Sequence, residues 1–268
     1  LSKSVRAVDR ALDVLLCFSR QTPELSMTQI AEHIGIHKST VHRLLATLEK
    51  KRFVQRDPDT GTYRLGIRLL QMAYLTLEQN DIRRLAVPFL QRLNDQYQEN
   101  IHLAVLDDAD VVYIYIIESH QRVILAAAIG QRLPAYATAS GKAILAFLPD
   151  EVVRRILDRG MPQWTRYTPT SPDAFFEDLH SIRESGFATS EQEYEEAINA
   201  VAAPIFDLEG QPTASIAVAG PAYRLTRERM SEIGPVVVTT ARDITREITM
   251  AAVSRASSAI SPPGGNRK

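Results

Sequence analysis

The stretch Ser26–Leu48, SMTQIAEHIGIHKSTVHRLLATL, reads as two short helices joined by a tight turn. Ser26 stands in the N-cap place with Gln29 three residues on, the spacing of a capping box. Ile30, Ala31 and Ile34 give the first helix an apolar side. Gly35 ends it, where a sharp helix terminus calls for positive φ. Ile36 then packs beneath the turn, and a second helix begins at His37 or Lys38. Val41, Leu44, Leu45 and Leu48 recur at i, i+3, i+4 and i+7, so they share one buried stripe. At about 100° per residue the opposite side carries Ser39, Arg43, Ala46 and Lys50, flanked by Thr40, His42 and Thr47. The free side of this helix is therefore small, hydroxylated and basic, with no carboxylate at its centre.

A helix that reads DNA needs that combination. Short side chains let the backbone approach the major groove, Arg contacts guanine, and hydroxyls and Lys contact phosphates. A helical hairpin with a solvated polar face explains the two helices alone equally well. The flanks shift the balance. After Lys50, Lys51 and Arg52 come FVQR, DPDTG and TYRLG, which read as strand, turn and strand. Tyr63 and Leu65 alternate with Thr62 and Arg64, so Arg64 is expected to face outward. Helix, turn, helix and a basic-tipped hairpin, in that order, make a winged helix-turn-helix. The candidate DNA contacts are Thr28, Lys38, Ser39, Thr40, His42, Arg43, Lys50 and Arg64.

Residues 5–70 resemble the DNA-binding domain of the IclR family of bacterial transcription regulators. The resemblance is carried by VRAVDRALDVLLCF, LSMTQIAEHIGIHKSTVHRLLATLEKKRFV and YRLGIRLL. It continues through LPAYATASGKAILA, SGFATSEQEYEEAINAVAAPIFD and ASIAVAGP, and so covers nearly the whole chain. It implies an α+β protein in which an N-terminal winged helix-turn-helix is joined by a linker helix to a GAF-like effector domain, an antiparallel sheet flanked by helices. It also implies a homodimer, often paired into a homotetramer, on a near-palindromic double-stranded operator.

Charge distribution agrees. The 268 residues carry a net charge of −1, but residues 1–70 hold 12 Lys/Arg against 7 Asp/Glu. A basic segment on an acidic remainder is the footprint of a DNA-binding module beside a separate partner domain. No apolar run approaches the roughly 20 residues of a membrane span. LSKSVRAVDRA has no secretory apolar block, and the single cysteine, Cys17, suits a reducing compartment. No membrane association and a cytoplasmic location are expected.

The pattern divides the chain into residues 1–66, the DNA-binding domain; 67–79, a linker helix; 80–252, the effector domain; and 253–268, a disordered tail. Ser4–Ser19 reads as the first helix, with Val8, Leu12, Leu15 and Leu16 as its apolar stripe and Arg6 and Arg10 near its start. Beyond a break at Asn80–Asp81 a helix runs to about Gln98. IHLAVLD, DVVYIYIIES and RVILAAAI then read as successive strands. Helices follow from Thr138 or Ser140, over Asp150–Arg159 and over Asp173–Ser185. NAVAAPIFD and PTASIAVAG form a hairpin. A last helix spans about Thr226–Ala252, with a bend expected at Gly234-Pro235.

Nothing points to an enzyme. ASGKA, Ala139–Ala143, lacks the first glycine and the hydroxyl of a phosphate loop, whose places hold Tyr136 and Ala143. It is better read as a loop-to-helix junction whose free N–H groups meet a carboxylate. His33 and His37 straddle Gly35 and cannot share a helical face, and the other histidines are scattered, so no metal and no cofactor are expected. The acidic run Glu191, Glu193, Glu195, Glu196 reads as a solvated segment. A metabolic enzyme or a protein-interaction module with a winged-helix docking domain remains the alternative.

The resemblance places an effector site around Leu133, Ala139, Ser140, Ser190, Ala200, Ala217 and Ala219. Members that sense small carboxylic acids have an Asp where this chain has Ser190, a Cys at Ala200 and serines at Ala217 and Ala219. The loss of polar groups favours a less polar, larger effector, such as an aromatic acid, for a regulator of a catabolic operon. Close packing of these alanines against a helix is the competing explanation.

Overall fold

The computed structural model describes residues 5–19, 21–78, 81–122, 125 and 127–260, without the side chains of 77, 78, 81 and 254–260. The chain forms two compact units that divide between residues 79 and 80. In the first, α1 (Arg6–Leu16), α2 (Met27–Ile34) and α3 (Lys38–Lys50) pack together. They stand beside a three-stranded sheet of β1 (Glu24–Leu25), β2 (Val54–Arg56) and β3 (Tyr63–Leu65), in the order β1-β3-β2. β1 begins directly after Pro23. Two residues suffice for it, Leu25 pairing with Tyr63 and Glu24 with Arg64. The core gathers Val14, Cys17, Leu25, Ile30, Val41, Leu45, Leu48, Val54 and Tyr63.

The first helix buries a different side from the one expected. Val14 and Cys17 face the core, with Ala11, Leu15 and Phe18 partly covered. Val8, Leu12 and Leu16 are exposed, Leu16 by 80%. α1 carries apolar residues over more of its circumference than this unit covers, so periodicity alone selects the wrong stripe. Ser4, the expected start, lies outside the described residues. α4 (Ile67–Glu78) shows the same excess, for Ile67, Leu70, Tyr74 and Leu75 are all exposed.

The second unit is built on a six-stranded antiparallel sheet, order β6-β5-β4-β9-β8-β7. Its strands are β4 (Asn100–Asp107), β5 (Asp110–Ile117), β6 (Arg132–Pro134), β7 (Ala188–Glu191), β8 (Ile198–Phe206) and β9 (Pro212–Pro221). Helices α5 (Asp81–Tyr97) and α9 (Arg227–Ile260) pack against the sheet and each other. A short helix, α6 (Ala139–Leu145), packs on β7, β8 and β9. Two more, α7 (Asp150–Leu157) and α8 (Pro172–Ser185), complete the unit. Strand alternation sorts the side chains. Ala104, Ala202 and Ala217 join the α6 core with Ala139, Ala143 and Ala146. These small residues let α6 lie close to the sheet.

Three segments depart from the sequence reading. Val123, Ile124 and Ala126 of RVILAAAI lie outside the described residues, and the described residues between Arg122 and Ile129 form no strand. The edge partner of β5 is β6 instead, with Val111 opposite Leu133. β7 was not legible because ATSE carries no run of branched or aromatic residues. α9 continues to Ile260, past the expected end at Ala252, since AAVSRASSAI holds no Gly or Pro. Residues 261–268 of the expected tail lie outside the described residues. Within α9, a Cβ on Gly234 would stand 2.7 Å from ring atoms of Phe187, so the glycine lets Phe187 pack directly on the helix.

Candidate functional site

In the first unit the helix pair is fixed by local chemistry. The Ser26 hydroxyl accepts from Gln29 N–H at 3.3 Å, and Gln29 Oε1 accepts from Ser26 N–H at 2.9 Å, closing the capping box. Gly35 takes φ 63°, and its N–H donates to Ala31 O. His37 caps α3 through Nδ1, which accepts from Ser39 N–H at 3.3 Å and lies 2.8 Å from Ser39 Oγ. Sequence reading missed this use of His37, although a cap two residues before an exposed Ser was the available signal. Val41, Leu45 and Leu48 are buried. Lys38, Ser39, His42, Arg43, Ala46, Thr47 and Lys50 are exposed, with Thr28 and Thr40 half-buried. Among the described residues, Lys38, Arg43 and Lys50 have no side-chain hydrogen bond or ion pair.

The β2–β3 turn is held by Asp57, whose Oδ1 accepts from Asp59 and Thr60 N–H, both at 2.9 Å. These bonds hold its carboxyl below the usual range. Arg64 is exposed on β3. A broad groove between α1 and α3 is lined by Val8, Leu12, Leu15, Leu44 and Leu48, with Arg6, Arg10 and Arg43 at its borders.

The second unit holds a cavity of about 60 Å³ between α6 and the sheet. A water needs roughly 10–15 Å³ and benzene occupies a cavity of about 150 Å³, so the space as it stands holds a few waters and a ring-sized guest enters only if the wall moves. Leu133, Ala139, Ser140, Ser190, Ala200, Ala217 and Ala219 all line it. Several lining groups were not anticipated, among them His102 on β4, Tyr113 on β5, Gln131, Thr138, Asn199 on β8, and Tyr194 with Glu195 on the β7–β8 connection. His102 pairs in register with Ala217, which is the signal that brings it to the floor. It is fully buried, its Nε2 has no hydrogen-bond partner, and its ring centroid lies 4.5 Å from that of Tyr113. Burial lowers its pKa to about 4, so the imidazole is neutral. Burial also pushes the Tyr113 hydroxyl up. Among the described residues, no Lys or Arg lines the cavity.

Lys142 of the ASGKA stretch turns away from the cavity. It is buried, and its Nζ meets Glu193 at 2.7 Å and Asp178 at 2.9 Å. Burial works against its charge, but the two carboxylates outweigh it and hold the amine above the ordinary lysine range. Burial pushes the Glu193 carboxyl up despite Lys142. Glu193 is thus a largely covered partner of Lys142, not part of a solvated acidic run. The same connection is gripped by Thr165 and Thr168, which donate to Gln192 O at 2.7 Å and Glu193 O at 2.6 Å. Trp164 lies 5.1 Å from the Tyr194 ring, and its Nε1 donates to the Tyr136 hydroxyl, which in turn donates to Pro162 O. Gly141 is required at the α6 junction, since a Cβ there would fall 2.1 Å from Ala135 O. Among the described residues, no cluster of His, Cys, Asp and Glu is arranged to hold a metal ion, and no helix is long and apolar enough to cross a membrane.

Two family models match: the IclR helix-turn-helix domain over residues 7–58 and the bacterial transcriptional regulator IclR C-terminal domain over residues 74–246. The chain belongs to the IclR family. It is therefore a DNA-binding transcriptional regulator, in a family of regulators and not of enzymes. It is 34% identical over 217 residues to the HTH-type transcriptional regulator XynR of Escherichia coli K12, covering 80% of this chain and 85% of that one. An IclR transcriptional regulator from Alicyclobacillus acidocaldarius aligns with a TM-score of 0.82 at 27% identity, over 92% of this chain and 100% of that one. An IclR homolog from Microbacterium hydrocarbonoxydans, solved with 4-hydroxybenzoate, aligns with a TM-score of 0.77 at 26% identity, over 90% and 99%.

Proposed function

We propose that this IclR-family regulator controls a catabolic operon in the cytoplasm and responds to a small organic acid, with a monocyclic aromatic acid favoured by the apolar and aromatic lining of the cavity. The observation that carries the reading is the lining of the cavity under α6: apolar walls from Leu133, Ala139, Ala200, Ala217 and Ala219, the rings of Tyr113 and Tyr194, and neutral polar groups from Gln131, Thr138, Ser140, Ser190 and Asn199. The related homolog that holds 4-hydroxybenzoate lends support. Residues 1–66 bind the operator, 67–79 link, and 80–252 bind the effector. Occupancy of the cavity shifts the DNA-binding unit between states through the connection at 66–80.

On DNA, α3 enters the major groove. Arg43 reads a base, while Thr28, Lys38, Ser39, Thr40, His42, Lys50 and Arg64 contact backbone or flanking positions. The protein acts as a homodimer, and as a homotetramer when dimers pair. The exposed apolar faces of α1 and α4, too extensive for solvent, support self-association of the first unit.

The test uses duplexes selected by the full chain from a random library. Arg43→Ala removes base preference, whereas Lys38→Ala or Arg64→Ala weakens binding to all sequences and lowers the salt slope by about one. Unchanged base preference in Arg43→Ala refutes the placement of α3. Release of the selected duplex by benzoate, 4-hydroxybenzoate or pyruvate tests the effector class, and indifference to all three and to their homologues refutes it.

A further inference from the structure

The charge of the cavity raises a question that the proposed effector class sharpens. An organic acid is an anion at neutral pH, and burying an unpaired carboxylate is costly. Yet no Lys or Arg lines the space among the described residues. The nearby cation on α6, Lys142, is committed to Glu193 and Asp178. The β8 and β9 strands contribute Ile198, Asn199, Ala200, Ala217 and Ala219, and with Gln131, Thr138, Ser140 and Ser190 they offer neutral groups only. β5 contributes Tyr113, which stays protonated, and the β7–β8 connection contributes Tyr194 and Glu195. Glu195 is exposed at the rim and has the wrong sign to hold an acid. One group remains that can become a cation: His102, buried on the cavity floor with an orphaned Nε2.

We propose that His102 is the acid-recognising residue of the cavity, and that an acidic effector enters together with one proton, taken from solvent onto the imidazole. The inference rests on the effector reading above. The balance is simple: a carboxylate, a neutral imidazole and a solvent proton become a buried imidazolium–carboxylate pair, with no covalent bond made or broken. The empty site cannot hold the proton, because burial alone disfavours the imidazolium; the ligand's charge reverses that preference. The anion and the proton therefore bind cooperatively, and affinity for an acid rises as pH falls.

Calorimetry on the full chain tests this with benzoate, 4-hydroxybenzoate and pyruvate and with their uncharged amides. Titration at pH 7 in two buffers of different ionisation enthalpy counts protons. The expected result is close to one proton taken up per acid bound and none per amide. Between pH 5.5 and 7.5 the Kd of a bound acid weakens about tenfold per pH unit. His102→Gln binds acids more weakly and without that slope. A slope retained in His102→Gln means that the proton rides on the ligand's carboxyl, and it overturns the assignment. If that variant does not fold, the wild-type count decides, and an acid that binds with no proton uptake overturns the proposal. Failure of every acid to bind at any pH refutes the effector class itself, and this inference falls with it.

Discussion

Replacing Lys142 with Met isolates the energetics of the α6 region. The amine is 3% exposed and the Glu193 side chain 13%, while Asp178 is 44% exposed and well screened. Methionine fills much the same volume but leaves Glu193 buried without its cation, and Glu193 Oε2 already lacks a partner. Breaking one side of a buried pair costs about 3–5 kcal/mol, whereas removing both sides is close to neutral. The lower end of that range is expected, because burial raises the Glu193 carboxyl and so favours its neutral form once the cation is gone. The expectation is a loss of about 3 kcal/mol, or a fall of roughly 10 °C in the melting of a unit of this size. Circular dichroism of Lys142→Met, Glu193→Gln and the double variant measures it. The double variant should recover most of the loss, and Lys142→Met alone should recover part of it as pH falls and Glu193 takes up a proton. A Lys142→Met protein that melts within 2 °C of wild type would falsify the claim that this pair is buried in solution.

Further expectations concern neighbouring features. Gly141→Ala sets a Cβ against Ala135 O and should displace α6, abolishing acid binding and lowering the melting temperature. Wild-type melting and binding in that variant contradict the junction geometry. His102 has a folded pKa of about 4 against 6.5 unfolded. The unfolded chain therefore binds the proton first as pH falls. The stability from this group is intact above about 6.5 and declines by about 3 kcal/mol on the way to 4. Urea unfolding of the ligand-free chain across pH 4–7 should show a slope that His102→Gln reduces, and equal slopes refute the burial. Leu12→Asp and Leu70→Asp place charge on the exposed faces of α1 and α4 and should shift the molar mass seen by light scattering toward the monomer. An unchanged mass removes those faces from the interface.

Local signals in the sequence proved the most legible. The capping box at Ser26, the left-handed Gly35 and the buried Val41, Leu45 and Leu48 follow from rules that act over four or five residues. The α+β class and the family could be read because the motifs keep their order along the chain. What could not be read depended on long-range pairing. α1 buries Val14 and Cys17 because α2 and α3 approach from that side, and no periodicity in α1 specifies it. The cavity shows the same division. Its alanine and serine positions were legible by resemblance, whereas His102 reaches the floor through the register of β4 on β9, 115 positions away at Ala217. Lys142 looked like part of a loop for anions until its partners, 36 and 51 positions on, came into view.

The contact between Trp164 and Tyr194 has a practical consequence. The chain contains one tryptophan, and its indole leans on a ring that forms part of the cavity wall. Any guest that moves Tyr194 changes the surroundings of the molecule's dominant fluorophore. Native emission therefore offers a label-free optical gauge of cavity filling, suited to screening metabolites directly against the unmodified protein.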